Sequence, residues 1–166
     1  MKREGKMKRI IVIGCGGSGK STFSRALAKK TDLPLVHLDL LYWQADGTTV
    51  DREVFLSRLH EAMSKDEWII DGNYASTMEE RMSACDTVFF LDYPTEVCLD
   101  GIRERVGKPR PDMPCKLPEI DDEFLRFVTD YREKSRPQVL ALLKKYKDKN
   151  IFIFKTREET DAFLSK

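Results

Sequence analysis

Gly14-Cys15-Gly16-Gly17-Ser18-Gly19-Lys20-Ser21 is the stretch whose reading decides the fold. It matches G-x-x-x-x-G-K-[ST], the pattern of a phosphate-binding loop. Four of the chain's nine glycines fall within it. Glycine tolerates positive φ and lets the backbone come close to an anion. The successive N–H groups then point inward as a nest, and the N-terminus of the following helix adds its dipole. On this reading Gly14, Gly16, Gly17, Ser18, Gly19, Lys20, Ser21 and Thr22 surround the phosphates of a nucleotide. Lys20 places its ammonium on the β- and γ-phosphates during transfer, and Ser21 offers a hydroxyl to Mg²⁺.

Such a loop needs a strand before it and a helix after it. Ile10–Ile13 is a continuous apolar run, as expected of a strand buried on both faces. Ser21–Lys30 carries Phe23, Ala26 and Leu27 at helical spacing and ends on Lys29 and Lys30, which suit a helix C-terminus. Further out the alternation continues. Leu35–Leu38, Trp68–Ile70, Val88–Leu91 and Ile151–Phe154 read as four more short strands. Between them lie helical stripes: Val54, Phe55, Leu59, Ala62 and Met63, then Cys98, Ile102 and Val106 after Pro94. Phe124, Phe127, Val128 and Tyr131 form another, and Val139, Leu142, Leu143 and Tyr146 one more, with Pro137 expected to split them. Ser76-x-x-Glu79 and Thr156-x-x-Glu159 read as capping boxes. Five strands alternating with amphipathic helices predict an α/β fold with a parallel sheet. Ligands then sit at the carboxyl ends of the strands.

The residues after each strand are therefore the candidate site. Asp39 follows the second strand and can act as a catalytic base, or orient Mg²⁺ through water. Tyr42 and Trp43 after it offer a wall for an acceptor ring, or core packing. His37, inside the strand and without an evident partner, reads as structural. Asp71 closes the third strand as a Walker-B carboxylate does, a candidate metal residue. Gly72 and Asn73 follow as a turn that can approach substrate. Asp92, after the fourth strand, reads as a helix cap. From Arg103 to Lys116 there are five basic residues and two acidic ones, with three prolines and a glycine. A basic loop of restricted conformation over the strand ends suits phosphoryl transfer, because arginines meet the migrating charge and the loop excludes water. Arg81, Arg132 and Arg136 are further candidate donors to the acceptor, or members of solvated helix faces.

Composition bounds the rest. A chain of 166 residues and 19.3 kDa is expected to form one domain, residues 1–166. Hydrophobic residues are 41% and charged residues 34%, a soluble pattern. Lys+Arg number 29 against 28 Asp+Glu, a net charge of +1 that argues against a nucleic-acid partner. No apolar run approaches the roughly 18 residues of a membrane span, so no membrane partner is expected. Met1–Lys6 carries no signal-peptide pattern, and the scattered cysteines Cys15, Cys85, Cys98 and Cys115 suggest neither zinc nor disulfides. A cytoplasmic location follows as the expectation. A homodimer stays open.

The phosphate loop, Leu38-Asp39-x-x-x-Trp43, Trp68-Ile69-Ile70-Asp71-Gly72-Asn73-Tyr74, Asp86-Thr87-Val88-Phe89-Phe90-Leu91-Asp92-Tyr93-Pro94 and Arg110-Pro111-Asp112-Met113 occur in order. Together they resemble the bacterial DNA topology modulation proteins, relatives of adenylate kinase, over most of the chain. The resemblance implies a three-layer P-loop kinase fold with strand order 2-3-1-4-5 and a short lid at about residues 107–119. It also implies ATP and Mg²⁺ as cofactors and a small phosphate acceptor, such as a nucleoside monophosphate or nucleoside. The lid arginines of such kinases carry over to Arg103 on the nucleotide and to Arg105 and Arg110 in catalysis. The chain departs from adenylate kinase where Asp71-Gly72-Asn73-Tyr74 replaces its D-G-F-P-R segment, and where Cys115 stands in place of a zinc-binding cluster. The alternative function is an ATP-binding switch protein without kinase activity.

Overall fold

The computed structural model describes residues 5–106, 108, 110–115 and 121–166. Its centre is β1 (Arg9–Gly14), flanked by β3 (Trp68–Asp71) and β4 (Thr87–Leu91). β2 (Leu35–His37) and β5 (Asn150–Phe154) form the edges, giving a five-stranded sheet in the order β2-β3-β1-β4-β5. All four pairings are parallel. The three inner strands are continuous apolar runs because helices cover both of their faces. Ile10, Ile11, Val12 and Ile13 are each 0% exposed.

Among the described residues there are eight helices, seven between strands and the last after β5: α1 (Lys20–Thr31), α2 (Leu38–Tyr42), α3 (Arg52–Met63), α4 (Ala75–Ala84), α5 (Thr95–Arg105), α6 (Asp122–Lys134), α7 (Arg136–Lys145) and α8 (Arg157–Leu164). Aromatic packing joins α1 and α8 to the sheet. Phe23 and Phe163 lie 5.2 Å from the Phe89 ring, and Phe152 stacks on it at 4.9 Å. The fully buried rings, Phe23 and Phe89, each contribute roughly 1.5–3 kcal/mol by leaving water. The parallel register brings Gly14 level with Leu91, Val12 with Asp71, and Asp71 with His37. One edge of the sheet therefore collects the residues that the sequence analysis singled out.

Local chemistry departs from the sequence reading at several helix ends. The second strand stops at His37, and Leu38 opens the short helix α2 with its side chain buried. α4 starts at Ala75, capped by Tyr74 rather than by Ser76, whose Oγ instead accepts from Arg52 at 3.2 Å. Thr156 does cap α8: its Oγ1 accepts from the Glu159 N–H at 3.2 Å, while Glu159 accepts from the Lys155 N–H. Pro137 falls in the first turn of α7, and the break from α6 is at Ser135. Of the expected lid, residues 107, 109 and 116–119 lie outside the described residues.

Candidate active site

The phosphate loop joins β1 to α1. Its backbone turns left-handed at Gly17, with φ 82°, and at Gly19, with φ 91°. Packing demands glycine there as strongly as φ does. A Cβ on Gly17 would stand 2.0 Å from the Cys98 carbonyl oxygen on α5, and one on Gly16 2.6 Å from the Phe124 ring on α6. Two helices thus hold the loop in shape. Ser18 is 1% exposed, and its Oγ has no hydrogen-bond partner among the described residues. A buried hydroxyl without a partner, inside a glycine cradle, suits a phosphate oxygen. The residues therefore fit the phosphates of ATP.

Lys20 folds back over this cradle, its Nζ donating to the Cys15 carbonyl at 3.1 Å. Burial pushes its ammonium below the ordinary range, and the charge of Asp71 opposes that push. Arg25 donates to the Ser21 hydroxyl at 3.0 Å and to Thr22 at 3.4 Å, leaving Thr22 exposed. Asp71 closes β3 at 5% exposure, with its Oδ2 2.7 Å from Nδ1 of His37. The β2–β3 register produces this pair. His37, read from sequence as merely structural, is thus the partner that orients a candidate metal carboxylate.

Asp39 lies in the first turn of α2. The Tyr74 hydroxyl donates to its Oδ1 at 2.5 Å. Burial pushes its carboxyl above the ordinary range; the Tyr74 hydrogen bond and the charges of Lys20 and Arg110 pull it partly back. The Tyr74 backbone has φ 37°, a left-handed conformation costing a non-glycine residue about 1–3 kcal/mol. Arg81 holds that turn. It is 0% exposed and donates to the carbonyls of Gly72 at 3.0 Å, Tyr74 at 3.2 Å and Asn73. Burial pushes its guanidinium down to about 10. The expectation that Arg81 meets the acceptor is corrected: its Nη atoms are taken up by these carbonyls and its Nε donates to the Thr77 hydroxyl at 3.2 Å. Asn73 accepts from the Gly14 N–H at 3.2 Å, and Gly72 makes room for Leu38, which a Cβ would meet at 2.9 Å. These two residues stitch the turn to β1 and α2. Tyr42 stands beside Asp39, its ring 5.4 Å from Tyr74 and 5.5 Å from Phe55, with Trp43 at 6.0 Å.

The remaining arginines divide. Arg105 reaches inward: it is half-buried, 5.8 Å over the Phe124 ring, and its charge acts on Lys20. Arg110 pairs with Asp112 at 2.6 Å and stays close enough to lower the Asp39 pKa. Arg103 remains on the solvent face of α5, paired with Asp100 at 3.1 Å, and is not brought to the phosphates. Arg136 is not a free donor either: it bonds to Asp92 through Nη2 and Nε, both at 2.9 Å, while the exposed Arg132 stands 3.6 Å from the same carboxylate as a looser ion pair. Asp92 is 5% exposed and so needs a cation; it anchors α6 and α7 rather than capping a helix. A cation that sequence reading missed is Arg157, whose Nη1 lies 3.1 Å from where a Gly19 Cβ would stand, with the guanidinium 5.5 Å over Tyr93. No local signal marks it, because it arrives from the far end of the chain.

No protein-family model matches the chain. The shikimate kinase of Bacteroides fragilis is 30% identical over 146 residues, covering 79% of this chain and 79% of its own. The chain belongs to the shikimate kinase family. The shikimate kinase of Phocaeicola vulgatus is 26% identical over 147 residues, covering 79% of this chain and 81% of its own. In three dimensions, shikimate kinase from Acinetobacter baumannii in complex with shikimate superposes with a TM-score of 0.59 at 19% identity, over 96% of this chain and 92% of that one. A gluconokinase from Sinorhizobium meliloti gives 0.55 at 17% identity, over 96% and 93%. The likenesses in three dimensions show the P-loop kinase fold, and the family makes this member a small-molecule kinase that transfers a phosphoryl group from ATP. No helix among the described residues is long and apolar enough to cross a membrane.

Proposed function

We propose that this kinase phosphorylates a hydroxyl group, with Asp39 as the base. The observation that carries the reading is the placement of Asp39: a half-buried carboxylate held by Tyr74 and within the field of Lys20. A carboxylate there repels a phosphate acceptor and attracts the proton of a hydroxyl. The acceptor oxygen attacks the γ-phosphorus, its proton passes to Asp39, and the bond to the β,γ-bridging oxygen breaks to release ADP. Lys20 and Arg105 stabilise the charge on the transferring group, and Arg110 does so once it turns from Asp112. The backbone N–H groups from Gly14 to Ser21 hold the phosphates. Mg²⁺ neutralises phosphate charge when bound; Ser21 and Asp71 are the residues that would hold it.

Of the acceptors expected from sequence, a nucleoside suits this arrangement better than a nucleoside monophosphate, since Arg81 and Arg136 are occupied. Shikimate, the acceptor of the family's named members, is the competing acceptor. The narrower resemblance to DNA topology modulation proteins is part of this reading only as a branch of the kinases, with no step that involves DNA. The test is Asp39→Asn. It should lower turnover by roughly 10²–10⁴-fold while ATP binding is retained. Near-normal turnover would exclude the base role, and an unchanged rate in Lys20→Ala would sink the phosphoryl-transfer mechanism itself.

A further inference from the structure

Asp112 belongs to the Arg110-Pro111-Asp112-Met113 segment, between α5 and α6 in the chain. It is only 5% exposed, a position that a carboxylate takes when it is paired. The partner is Arg110. Its Nη2 donates to the Asp112 Oδ2 at 2.6 Å and its Nε to the Oδ1 at 3.3 Å, the fork of a charge-assisted pair. Burial alone would push the Asp112 carboxyl up, but the bonds and charge of Arg110 outweigh it and leave the carboxyl below its ordinary range. Asp112 is therefore ionised at neutral pH. Its charge also acts on Arg105 and Asp39, and the charge of His37 acts on it. This carboxylate stands among the residues of the active site, although the transfer mechanism above gives it no part.

The cations around it explain its place. Burial and the charge of Arg110 push the Arg105 guanidinium down, and Asp112 opposes that push. Cations drawn together out of water need an anion, and Asp112 supplies one from the chain itself. A triphosphate brings its own negative charge to the same cations. The Nε–Nη2 edge of Arg110 makes one fork at a time, so a phosphoryl group that takes this edge must displace Asp112. We propose, building on the kinase reading above, that Asp112 is a positioning residue which holds Arg110 as its counter-ion until a γ-phosphoryl group takes its place. Binding of the donor then exchanges one anion on Arg110 for another. ADP ends at the β-phosphate and leaves the pair closed. After transfer Arg110 returns to Asp112, and the spent nucleotide loses a contact that the donor had.

The experiment measures the affinity of the full chain for a non-hydrolysable ATP analogue and for ADP by calorimetry, both with Mg²⁺. Asp112→Asn keeps the shape and removes the charge. It should tighten analogue binding about ten-fold, the worth of one charge-assisted bond no longer broken, and change ADP binding less than about two-fold. Adding Arg110→Met to Asp112→Asn should abolish the gain, and this double variant leaves no buried charge unpaired. Asp112→Ser takes the place of the asparagine variant if that one does not fold. Unchanged or weaker analogue binding in the folded single variant would overturn the proposal. So would equal tightening for ADP, which a rearranged loop or a relieved general repulsion produces, or a gain that survives Arg110→Met. Failure of the wild type to bind either nucleotide would overturn the nucleotide site itself and the proposal with it, whereas the other failures leave the kinase reading standing.

Discussion

Gly101 sits in the middle of α5, where helix propensity alone recommends alanine. In an exposed helix interior Gly→Ala stabilises by about 0.5–1 kcal/mol. Here the sign should reverse. A Cβ on Gly101 would stand 2.1 Å from the Gly17 carbonyl oxygen and 3.1 Å from its carbonyl carbon. Side-chain carbons do not approach a carbonyl oxygen closer than about 3 Å, so α5 or the phosphate loop must move by about 1 Å. Neither can move freely, because Gly17 is itself pressed against Cys98 and Gly16 against Phe124. Overpacking of this kind costs about 1–3 kcal/mol, which outweighs the propensity gain. A displacement of about 1 Å at groups that position a substrate can cost on the order of 10²-fold in rate. Gly101→Ala should therefore lower urea-unfolding stability by up to about 2.5 kcal/mol, the overpacking cost less the propensity gain, and raise the KM for ATP while acceptor binding persists. Equilibrium urea unfolding and initial-rate kinetics on the same preparation measure both effects. A variant more stable than wild type, with unaltered KM for ATP, would show that the contact between α5 and the loop does not constrain the nucleotide site.

Other outcomes follow from the charged groups. Arg136→Met should destabilise by about 3 kcal/mol in thermal or urea unfolding, because it leaves Asp92 buried beside the more distant Arg132; adding Asp92→Leu should recover much of the loss. For Asp39, burial raises the folded-state pKa above the unfolded one, so stability it contributes is present at low pH and lost as pH rises through the folded value. Asp39→Asn should accordingly be no less stable than wild type at neutral pH, even as it loses turnover. The acid limb of the kcat/KM profile should fall above the ordinary carboxylate range, and Tyr74→Phe should move it higher still by removing the hydrogen bond that holds the Asp39 pKa down. His37→Ala should spare ATP-analogue binding in the absence of Mg²⁺ and raise the Mg²⁺ concentration needed for half-maximal turnover by roughly 10–100-fold.

The fold was legible because its strongest signals are local. An apolar run from Ile10, a glycine cradle and an amphipathic helix state a β-loop-α unit within about two dozen residues. The later strands repeat that logic with continuous runs, which only helices on both faces of a sheet explain. Strand order is different in kind. Nothing in the periodicity of Leu35–Leu38 says that it pairs with Trp68–Asp71 rather than with β1; the order was implied by family resemblance, and the parallel pairings agree. Within the site, Lys20, Ser21, Asp39 and Asp71 were readable because each follows a strand or belongs to the loop. The His37–Asp71 pair was not, because it depends on register between two strands far apart in sequence.

The arginines show most clearly where the sequence reading was bound to miss. A guanidinium near a phosphate loop looks available when its partners are invisible. Burial changes its role: Arg81, wholly inside, has to satisfy its donors, and the carbonyls of a strained turn are what lie within reach. Asp92, the residue after β4, is buried beside Leu91, and it draws Arg132 and Arg136 from the helix junction. The positive charge that seemed ready for an acceptor is thereby turned into fixed architecture around it. What remains for the transferring phosphoryl in the proposed mechanism is Lys20, Arg105 and Arg110. In the proposed mechanism the available positive charge thus lies where charge develops during transfer. With Asp39 as the proposed base, Arg105 and Arg110 stand close enough to feel its charge, so the cations proposed to meet the phosphoryl group also favour the ionised carboxylate that takes the proton.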